Sequence, residues 1–177
     1  GLDWIANNTL VGQPAVVNMS LGGDPNTYLD SAVANLSAQG LVFVVAAGNT
    51  GTNACNVSPA RVSAAITVAA SSDTDAWATY SNSGNCVDII APGSDTRSAW
   101  IGANNSAALA SGTSMAAGVV SGVVATQMSY GHQTPAALVN ALTSNARSGV
   151  ITSVPAGTPN LLLSNAVSFS SPGTSTG

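Results

Sequence analysis

A continuous apolar run over residues 41–47 constrains the fold of this chain more than any other feature. The run has the length of one strand and ends at Gly48 and Asn49, where the chain must turn. Because both faces of such a strand are apolar, it predicts a parallel sheet that is covered by helices on both sides. Asn49 then lies at the carboxyl end of a buried strand, which is the edge where α/β sheets form their clefts.

Helices and strands alternate along the rest of the chain. We predict the end of a helix over residues 2–8, helices over 28–38, 113–128 and 135–143, strands over 15–21, 41–46, 66–70 and 88–90, and an irregular β ribbon over 95–109. Parallel strands that alternate with helices are joined by right-handed crossovers. The chain is therefore predicted to be an α/β protein in which a mainly parallel sheet lies between two layers of helices.

The segment Gly112-Thr113-Ser114-Met115-Ala116 places a hydroxyl on the first turn of a helix of small residues. A serine there gains nucleophilic character from the positive end of the helix dipole, and the glycine beside it lets a substrate backbone come close. The alternative is a Thr/Ser helix cap without catalytic function. Asn49 also has two interpretations: an amide that donates to an oxyanion, or an asparagine in a turn.

Five motifs, in this order, resemble those of the subtilisin-like serine proteases, and most closely the proteinase K and aqualysin branch. They are Asn18-Met19-Ser20-Leu21-Gly22-Gly23, Val45-Ala46-Ala47-Gly48-Asn49, Tyr80-Ser81-Asn82, Asp88-Ile89-Ile90-Ala91-Pro92-Gly93 and Gly112-Thr113-Ser114-Met115-Ala116. The resemblance implies that Ser114 is the nucleophile of a secreted endopeptidase and that Asn49 is the side-chain donor to the oxyanion. It further implies a substrate-pairing edge segment of Ser20, Leu21 and Gly22, and a wall of the primary specificity pocket formed by Ala46, Ala47 and Gly48.

A serine nucleophile needs a general base and an acid that orients it. The chain contains one histidine, His132, and no acidic residue follows Asp95. Of the known triad orders, only the one with both Asp and His upstream of the serine is compatible with this sequence. We therefore expect the catalytic Asp and His to precede Gly1. On this interpretation, residues 1–169 are the C-terminal portion of a three-layer subtilisin-like catalytic domain, incomplete at its N-terminal side and inactive without the N-terminal remainder.

The other polar candidates are interpreted as ordinary surface residues. His132 lies between a predicted helix end and the first residues of the next helix, which is typical of a loop. Six acidic residues are interpreted as solvated turn or cap residues: Asp3, Asp24, Asp30, Asp73, Asp75 and Asp95. None of these residues is expected to complete the triad.

One motif departs from the family pattern. Ala117-Gly118-Val119 stands where subtilisin-like enzymes usually carry Thr/Ser-Pro-His. Glycine in place of proline frees the backbone just past Ser114 and lowers helix propensity, so we expect Ser114 to be displaced or more mobile. The departure favours an alternative function, a non-catalytic binding module with a protease fold. A lipase-like or esterase-like hydrolase is disfavoured because Ala116 breaks the G-x-S-x-G pattern.

The composition limits the classes of partner. Charged residues make up only 6% of the chain, whereas typical globular domains contain about 25%. With three arginines, no lysine and a formal net charge of −4, the chain cannot form the basic patch that nucleic acids require. No apolar run approaches the ~20 residues of a membrane span. A surface of uncharged polar residues indicates a secreted protein. The partner that the resemblance implies is a protein or peptide substrate, which would lie in an extended conformation beside Ser20, Leu21 and Gly22.

Two cysteines, Cys55 and Cys86, lie in predicted loops. The family resemblance implies a disulfide between them, and two buried free thiols are the alternative. A bridge that closes a loop of about thirty residues stabilises a fold by roughly 3–4 kcal/mol in the chain-entropy model. It also indicates an oxidising compartment.

Asp88 directly precedes an apolar strand, so we expect its carboxylate to be partly buried. The resemblance implies a structural calcium ion held by Asp88 and by backbone carbonyls near Ser63 and Ala65. A hydrogen-bonded structural aspartate without a metal is the alternative, and no cofactor is expected for catalysis. Residues 170–177 are rich in Ser, Gly and Thr, which is typical of a tail or linker.

Overall fold

A computed structural model describes residues 1–9, 13–131 and 134–165 of the chain. In these ranges the helices are α1 (Leu2–Asn8), α2 (Thr27–Ala38), α3 (Thr113–Ser129) and α4 (Pro135–Asn145). The strands are β1 (Val16–Met19), β2 (Val42–Ala46), β3 (Ile66–Ser71), β4 (Ile89–Pro92), β5 (Thr96–Ala99), β6 (Ala107–Ala110), β7 (Arg147–Ser148) and β8 (Leu161–Leu162). A short 3₁₀ helix, Ala54–Asn56, lies between β2 and β3.

Six of these strands form one sheet with the order β1-β2-β3-β4-β8-β7. Neighbouring strands run parallel from β1 to β8, and the pair of β7 with β8 is antiparallel. The predicted ribbon over residues 95–109 is a separate antiparallel hairpin of β5 and β6. The prediction of a mainly parallel sheet is therefore confirmed.

Strand β2 supplies apolar side chains to both faces of the sheet. All of its residues are buried. Val44 and Ala46 pack with Val120 of α3 in one apolar cluster, whereas Phe43 packs with Val33 of α2 in another. Because successive side chains of a strand point to opposite faces, this one strand contributes to two separate cores. The three-layer α/β architecture that the sequence predicts is confirmed.

Helix α2 has the predicted position and buried face. The side-chain oxygen of Asn26 accepts hydrogen bonds from the backbone nitrogens of Tyr28 and Leu29, at 3.1 and 3.0 Å, and so caps the helix. The chain leaves the helix at Gly40, whose φ of +101° favours glycine. Val33 is fully buried against the sheet, as its apolar pattern predicts.

Asp30 on the first turn of α2 is not the solvated cap residue that the sequence predicts. One of its carboxylate oxygens, Oδ2, lies 2.6 Å from both Nε and Nη2 of Arg61. Arg61 belongs to the loop that leads into β3, so the ion pair joins this helix to that loop. The local sequence around Asp30 cannot reveal a partner that lies 31 residues away.

Helix α3 runs without interruption through the segment that departs from the family pattern. Its buried side carries Ala116, Ala117 and Val120, whose small side chains let the helix lie close to the sheet. Gly118 and Val119 lie on its exposed side. Gly118 therefore does not break the helix, and Ser114 remains on the first turn.

Two short strands, β7 and β8, were absent from the sequence-based prediction. Each has two residues, and Ile90 of β4 pairs with Leu162 of β8. His132 and the predicted tail over residues 170–177 lie outside the described residues. Within the described ranges, no helix combines the length and apolar character needed to cross a bilayer.

Candidate active site

Ser114 lies at the start of α3, next to the segment that the sequence predicts to pair with substrate. Its hydroxyl donates a hydrogen bond to the carbonyl oxygen of Ser20 at 3.1 Å. The hydroxyl of Ser20 donates in turn to the carbonyl oxygen of Ser114 at 2.7 Å. These reciprocal bonds hold the first turn of α3 against the end of β1, although the two serines are 94 residues apart in the chain.

Polar contacts extend this connection along α3. The side-chain nitrogen of Asn18 donates to the hydroxyl oxygen of Ser20 at 2.9 Å, and the hydroxyl of Ser121 donates to the side-chain oxygen of Asn18 at 3.0 Å. Asn18 therefore bridges the segment that is predicted to pair with substrate and the third turn of α3. The sequence does not predict this contribution, because the motif that contains Asn18 gives no hint of its partner 103 residues later.

Asn49 follows β2 and turns its side chain toward the same helix. Its side-chain oxygen lies 2.8 Å from the backbone nitrogen of Thr113 and 2.8 Å from the hydroxyl oxygen of Thr113, and it accepts both hydrogen bonds. A side chain at Gly112 would place a carbon 3.2 Å from the side-chain nitrogen of Asn49. The amide nitrogen therefore lies beside the glycine that precedes the helix, and it is the end of the carboxamide that can donate to a ligand.

Ser114 and Asn49 line the same cleft, which has a volume of about 330 Å³. Leu21 and Gly22 of the predicted substrate-pairing segment line it as well. Ser20 contacts Ser114 without lining the cleft. The sequence predicted each of these neighbours, although their motifs are widely separated in the chain.

The predicted pocket wall is partly different in the structure. Ala46 and Gly48 line the cleft, whereas Ala47 does not. The side chain of Ala47 is fully buried in an apolar cluster that includes Ala69 and Ile90. Alternation along a strand explains the difference, because the side chains of Ala46 and Ala47 point to opposite faces of the sheet.

Further residues line the cleft that were not predicted to do so: Gly23, Asp24, Thr50, Thr52, Asn56, Val57, Asn82 and Thr113. Asn82 is fully buried and lies beside the turn that carries Asn49. Its presence in the Tyr80-Ser81-Asn82 motif was the one available signal.

The sequence model of the subtilase family matches residues 2–169. This chain belongs to the subtilase family. The resemblance seen in the five motifs is thereby confirmed over nearly the full length of the subtilase chain.

Similar subtilases include an extracellular serine proteinase of a Thermus species, 46% identical over 164 residues that cover 92% of this chain and 40% of that protein. The alkaline serine exoprotease A of Vibrio alginolyticus is 44% identical over 153 residues, covering 86% of this chain and 28% of that protein. The chain thus spans less than half the length of these two relatives.

The subtilase fold is also found in similar solved structures. A crystal structure of a cold-adapted subtilisin-like serine proteinase superposes with a TM-score of 0.88 at 41% identity, covering 94% of this chain and 60% of that one. A protease from Pseudoalteromonas arctica superposes with a TM-score of 0.79 at 28% identity, covering 93% of this chain and 55% of that one.

A disulfide joins Cys55 and Cys86 in this subtilase, with their Cα atoms 5.4 Å apart. The pairing implied by the family resemblance is present, and the alternative of free thiols is wrong. Asn56 and Val57, which follow Cys55, line the cleft. The bridge therefore anchors one side of the cleft to the loop before β4.

Asp88 lies beside the start of β3. Its carboxylate accepts a hydrogen bond from the backbone nitrogen of Thr67 at 2.7 Å. Burial raises the pKa of the Asp88 carboxyl to about 6, against the opposing effect of that hydrogen bond. Ser63 and Ala65 belong to the loop that leads into β3, so the predicted ligands come from neighbouring segments. Within the described ranges, no group of three His, Cys, Asp or Glu side chains could hold a metal.

Proposed function

We propose that this chain supplies the nucleophile and the oxyanion donor of a secreted serine endopeptidase. The observation that supports this most directly is that Ser114 and Asn49 line one cleft while the Asn49 oxygen is held by Thr113. The Ser114 oxygen attacks the peptide carbonyl carbon, and its proton passes to a general base. The amide nitrogen of Asn49 donates to the carbonyl oxygen as negative charge develops there, a contribution of roughly 3–4 kcal/mol in subtilisin, the reference enzyme for this value.

The tetrahedral intermediate then collapses to an acyl-enzyme. The peptide C–N bond breaks, and the base returns the proton to the departing amine. Water attacks the Ser114 ester in the second half of the reaction, releasing the acid and restoring the hydroxyl. In this structure the Ser114 proton is directed to the carbonyl oxygen of Ser20, so the base must come close enough to replace that contact.

We place the catalytic Asp and His in sequence that precedes Gly1. The chain has one histidine, and it follows Ser114 in sequence, whereas an enzyme of the subtilisin order has both partners before the serine. The N-terminal remainder of the catalytic domain is thus the first partner of residues 1–169. The chain by itself is expected to turn over little substrate, since loss of the base in subtilisin, again the reference case, costs on the order of 10⁶ in rate.

The substrate is a protein or peptide in an extended conformation. Leu21 is half exposed and Gly22 follows it at the cleft, while the backbone of Gly23 exchanges hydrogen bonds with Ser58. A peptide added beside this segment is held mainly by main-chain hydrogen bonds, which gives broad sequence specificity. Secretion is supported by the name of the extracellular Thermus relative and by the disulfide.

The Asp88 region fits a structural calcium ion. Among the described residues, the only salt bridge joins Asp30 and Arg61, so no cationic side chain there pairs with Asp88. A largely buried carboxylate without a counter-charge, beside the loop of Ser63 and Ala65, has the oxygen chemistry that calcium prefers. Bound calcium would neutralise the buried charge. Calorimetric titration should show calcium binding to the wild-type protein and none to Asp88→Asn. The control variant Asp3→Asn, in α1, should bind calcium as the wild type does.

The alternative function is a binding module that keeps the protease fold without catalysis. The observation that favours it is Ala117-Gly118-Val119 in place of Thr/Ser-Pro-His. Such a module would bind extended peptides in the same cleft and would leave them uncut.

Labelling with a fluorophosphonate probe separates these two functions. The test uses the protein with its N-terminal remainder, and Ser114→Ala as the matched control. The endopeptidase predicts covalent labelling of Ser114 and loss of both label and peptide cleavage in the variant. Absence of label in natively folded protein that still binds peptide would favour the binding module.

A further inference from the structure

The side chain of Asn82 is completely buried beside the turn that follows β2. Its oxygen accepts four hydrogen bonds: from the backbone nitrogen and hydroxyl of Thr50 at 3.1 and 3.0 Å, and from the backbone nitrogen and hydroxyl of Thr52 at 2.9 and 3.3 Å. Its nitrogen donates to the carbonyl oxygen of Ala47 at 2.9 Å. One side chain thus satisfies polar groups at three positions of the turn.

These contacts lie on both sides of Asn49. Ala47 precedes it, Thr50 and Thr52 follow it, and the backbone nitrogen of Asn82 donates to the carbonyl oxygen of Gly48 at 2.9 Å. The turn therefore has little freedom to shift relative to Asn82. Among the described residues, no hydrogen bond joins Asn82 directly to the Asn49 side chain.

Gly48 shows how closely the two segments fit. Its φ is +106°, and a side-chain carbon at this position would collide with the side-chain nitrogen of Asn82. A glycine is needed here for two reasons, the backbone conformation and the approach of Asn82. The glycine before the oxyanion donor is therefore matched to the buried asparagine.

We propose that Asn82 is a positioning residue for catalysis, which rests on the proposed function. Thr113 orients the carboxamide of Asn49, whereas Asn82 fixes the backbone from which that carboxamide extends. Loss of the Asn82 side chain lets the turn move, and the Asn49 nitrogen then misses the developing oxyanion. Displacements of about 1 Å are enough to lower rates by about 10²-fold in a preorganised site.

A stability loss alone cannot test this role, because removing any buried, fully bonded asparagine destabilises a protein. The test is a double-mutant cycle between Asn82→Ala and Asn49→Ala, in the protein with its N-terminal remainder. If Asn82 acts through Asn49, its removal matters only while Asn49 is present. Rates are measured on a peptide substrate at temperatures where every variant is folded.

We expect Asn82→Ala to lower kcat by about 10- to 100-fold with less than about a threefold change in KM. In the Asn49→Ala background, the same substitution should lower kcat by less than about threefold. Equal losses in the two backgrounds, or no loss in either, would overturn the inference. Unchanged cleavage by Ser114→Ala would instead overturn the proposed function, and the inference with it.

Asn160→Ala is the matched control. The side chain of Asn160 also bridges backbone groups, accepting from the nitrogen of Ile151 at 3.2 Å and donating to the carbonyl oxygen of Ile151 at 2.8 Å. It does not line the cleft, so its loss should lower stability and leave kcat unchanged.

A milder variant keeps the test decisive if Asn82→Ala does not fold. Thr50→Val removes one hydroxyl donor to Asn82 and preserves the shape of the side chain and the backbone contact. We expect a loss in kcat of a few fold, because a single neutral hydrogen bond makes only a modest net contribution. This loss should disappear in the Asn49→Ala background. A loss that persists there would overturn the inference.

Discussion

The side-chain oxygen of Asn49 accepts two hydrogen bonds from Thr113, the residue directly before the proposed nucleophile Ser114, each 2.8 Å long. A carboxamide has an acceptor end and a donor end, and Thr113 occupies the acceptor end. The donor end is consequently presented to a ligand in the cleft. On the proposed function, Thr113 therefore determines that a substrate carbonyl meets the donor end of the Asn49 carboxamide.

Thr113→Val should lower kcat by about tenfold with little change in KM, which corresponds to about 1–2 kcal/mol of lost transition-state stabilisation. The variant loses the hydroxyl that donates to Asn49 and that accepts from the backbone nitrogen of Gly48 at 3.1 Å. Thr113→Ser keeps the hydroxyl and should restore most of the activity. Steady-state kinetics on a peptide substrate checks both variants.

Thr126→Val controls for the same substitution elsewhere on α3. The Thr126 hydroxyl donates within the helix to the carbonyl oxygen of Gly122, away from the cleft, so kcat should be unchanged. Equal activity of Thr113→Val and Thr113→Ser would contradict the assigned role of the hydroxyl.

Gly118→Ala should raise the free energy of unfolding by about 0.5–1 kcal/mol, because alanine is the better helix former and restricts the unfolded chain. An added side-chain carbon at Gly118 would meet no heavy atom within 4 Å. Gly112→Ala should instead be destabilising, since its added carbon approaches Asn49 and Met115. Urea denaturation compares the two, and a loss of stability in Gly118→Ala would contradict the exposure of this helix face.

Replacing Cys55 and Cys86 together by alanine should lower the free energy of unfolding by roughly 3–4 kcal/mol, because the bridge closes a loop across 31 residues. Denaturation of the oxidised protein measures this loss. A reducing agent should destabilise the wild-type protein to a similar extent and leave the double variant unaffected. A difference near zero would mean that the unfolded chain gains little freedom when the bridge is removed.

When metal ions are removed with a chelator, ionisation of Asp88 should lower the free energy of unfolding as the pH rises. Its pKa is about 6 in the folded protein and near the ordinary aspartate value of 3.8 in the unfolded chain, so the folded state holds the proton more tightly. The contribution of Asp88 to the free energy of unfolding therefore falls as the pH rises from about 4 to about 6, and it is constant above that range.

Asp88→Asn isolates this effect, because asparagine keeps an oxygen for the Thr67 nitrogen and does not titrate. The free energy of unfolding of the variant, relative to wild type, should increase between about pH 4 and about pH 6. Urea titrations at several pH values measure this difference. A relative stability that is independent of pH would show that the Asp88 carboxyl titrates equally in both states.

The main elements of the fold could be predicted from local sequence. The apolar run over residues 41–47 and the small-residue helix after Ser114 each have one dominant interpretation, and both were found at the expected places. The strand Leu161–Leu162 has no such signal. Its two residues pair with β4 only because tertiary packing brings them to that edge.

The site was predictable where its residues belong to motifs, and not where they depend on distant partners. Ser114 and Asn49 lie in one cleft as expected. Ala47, the residue after β2, is buried on the face opposite Ala46, and this alternation of side chains was available from the sequence. The contacts of Asn82 with the turn at Thr50 span 32 residues, and hydrogen bonds over that separation leave no local pattern.

The hydrogen bonds that hold Asn49 and its turn in place join only uncharged groups, namely backbone amides, hydroxyls and carboxamides. Added salt has no charges to screen in such a network, and no member of it ionises near neutrality. On the proposed function, we therefore expect this network to add no titration of its own to the acid limb of a pH–rate profile. High ionic strength should likewise leave the catalytic geometry intact.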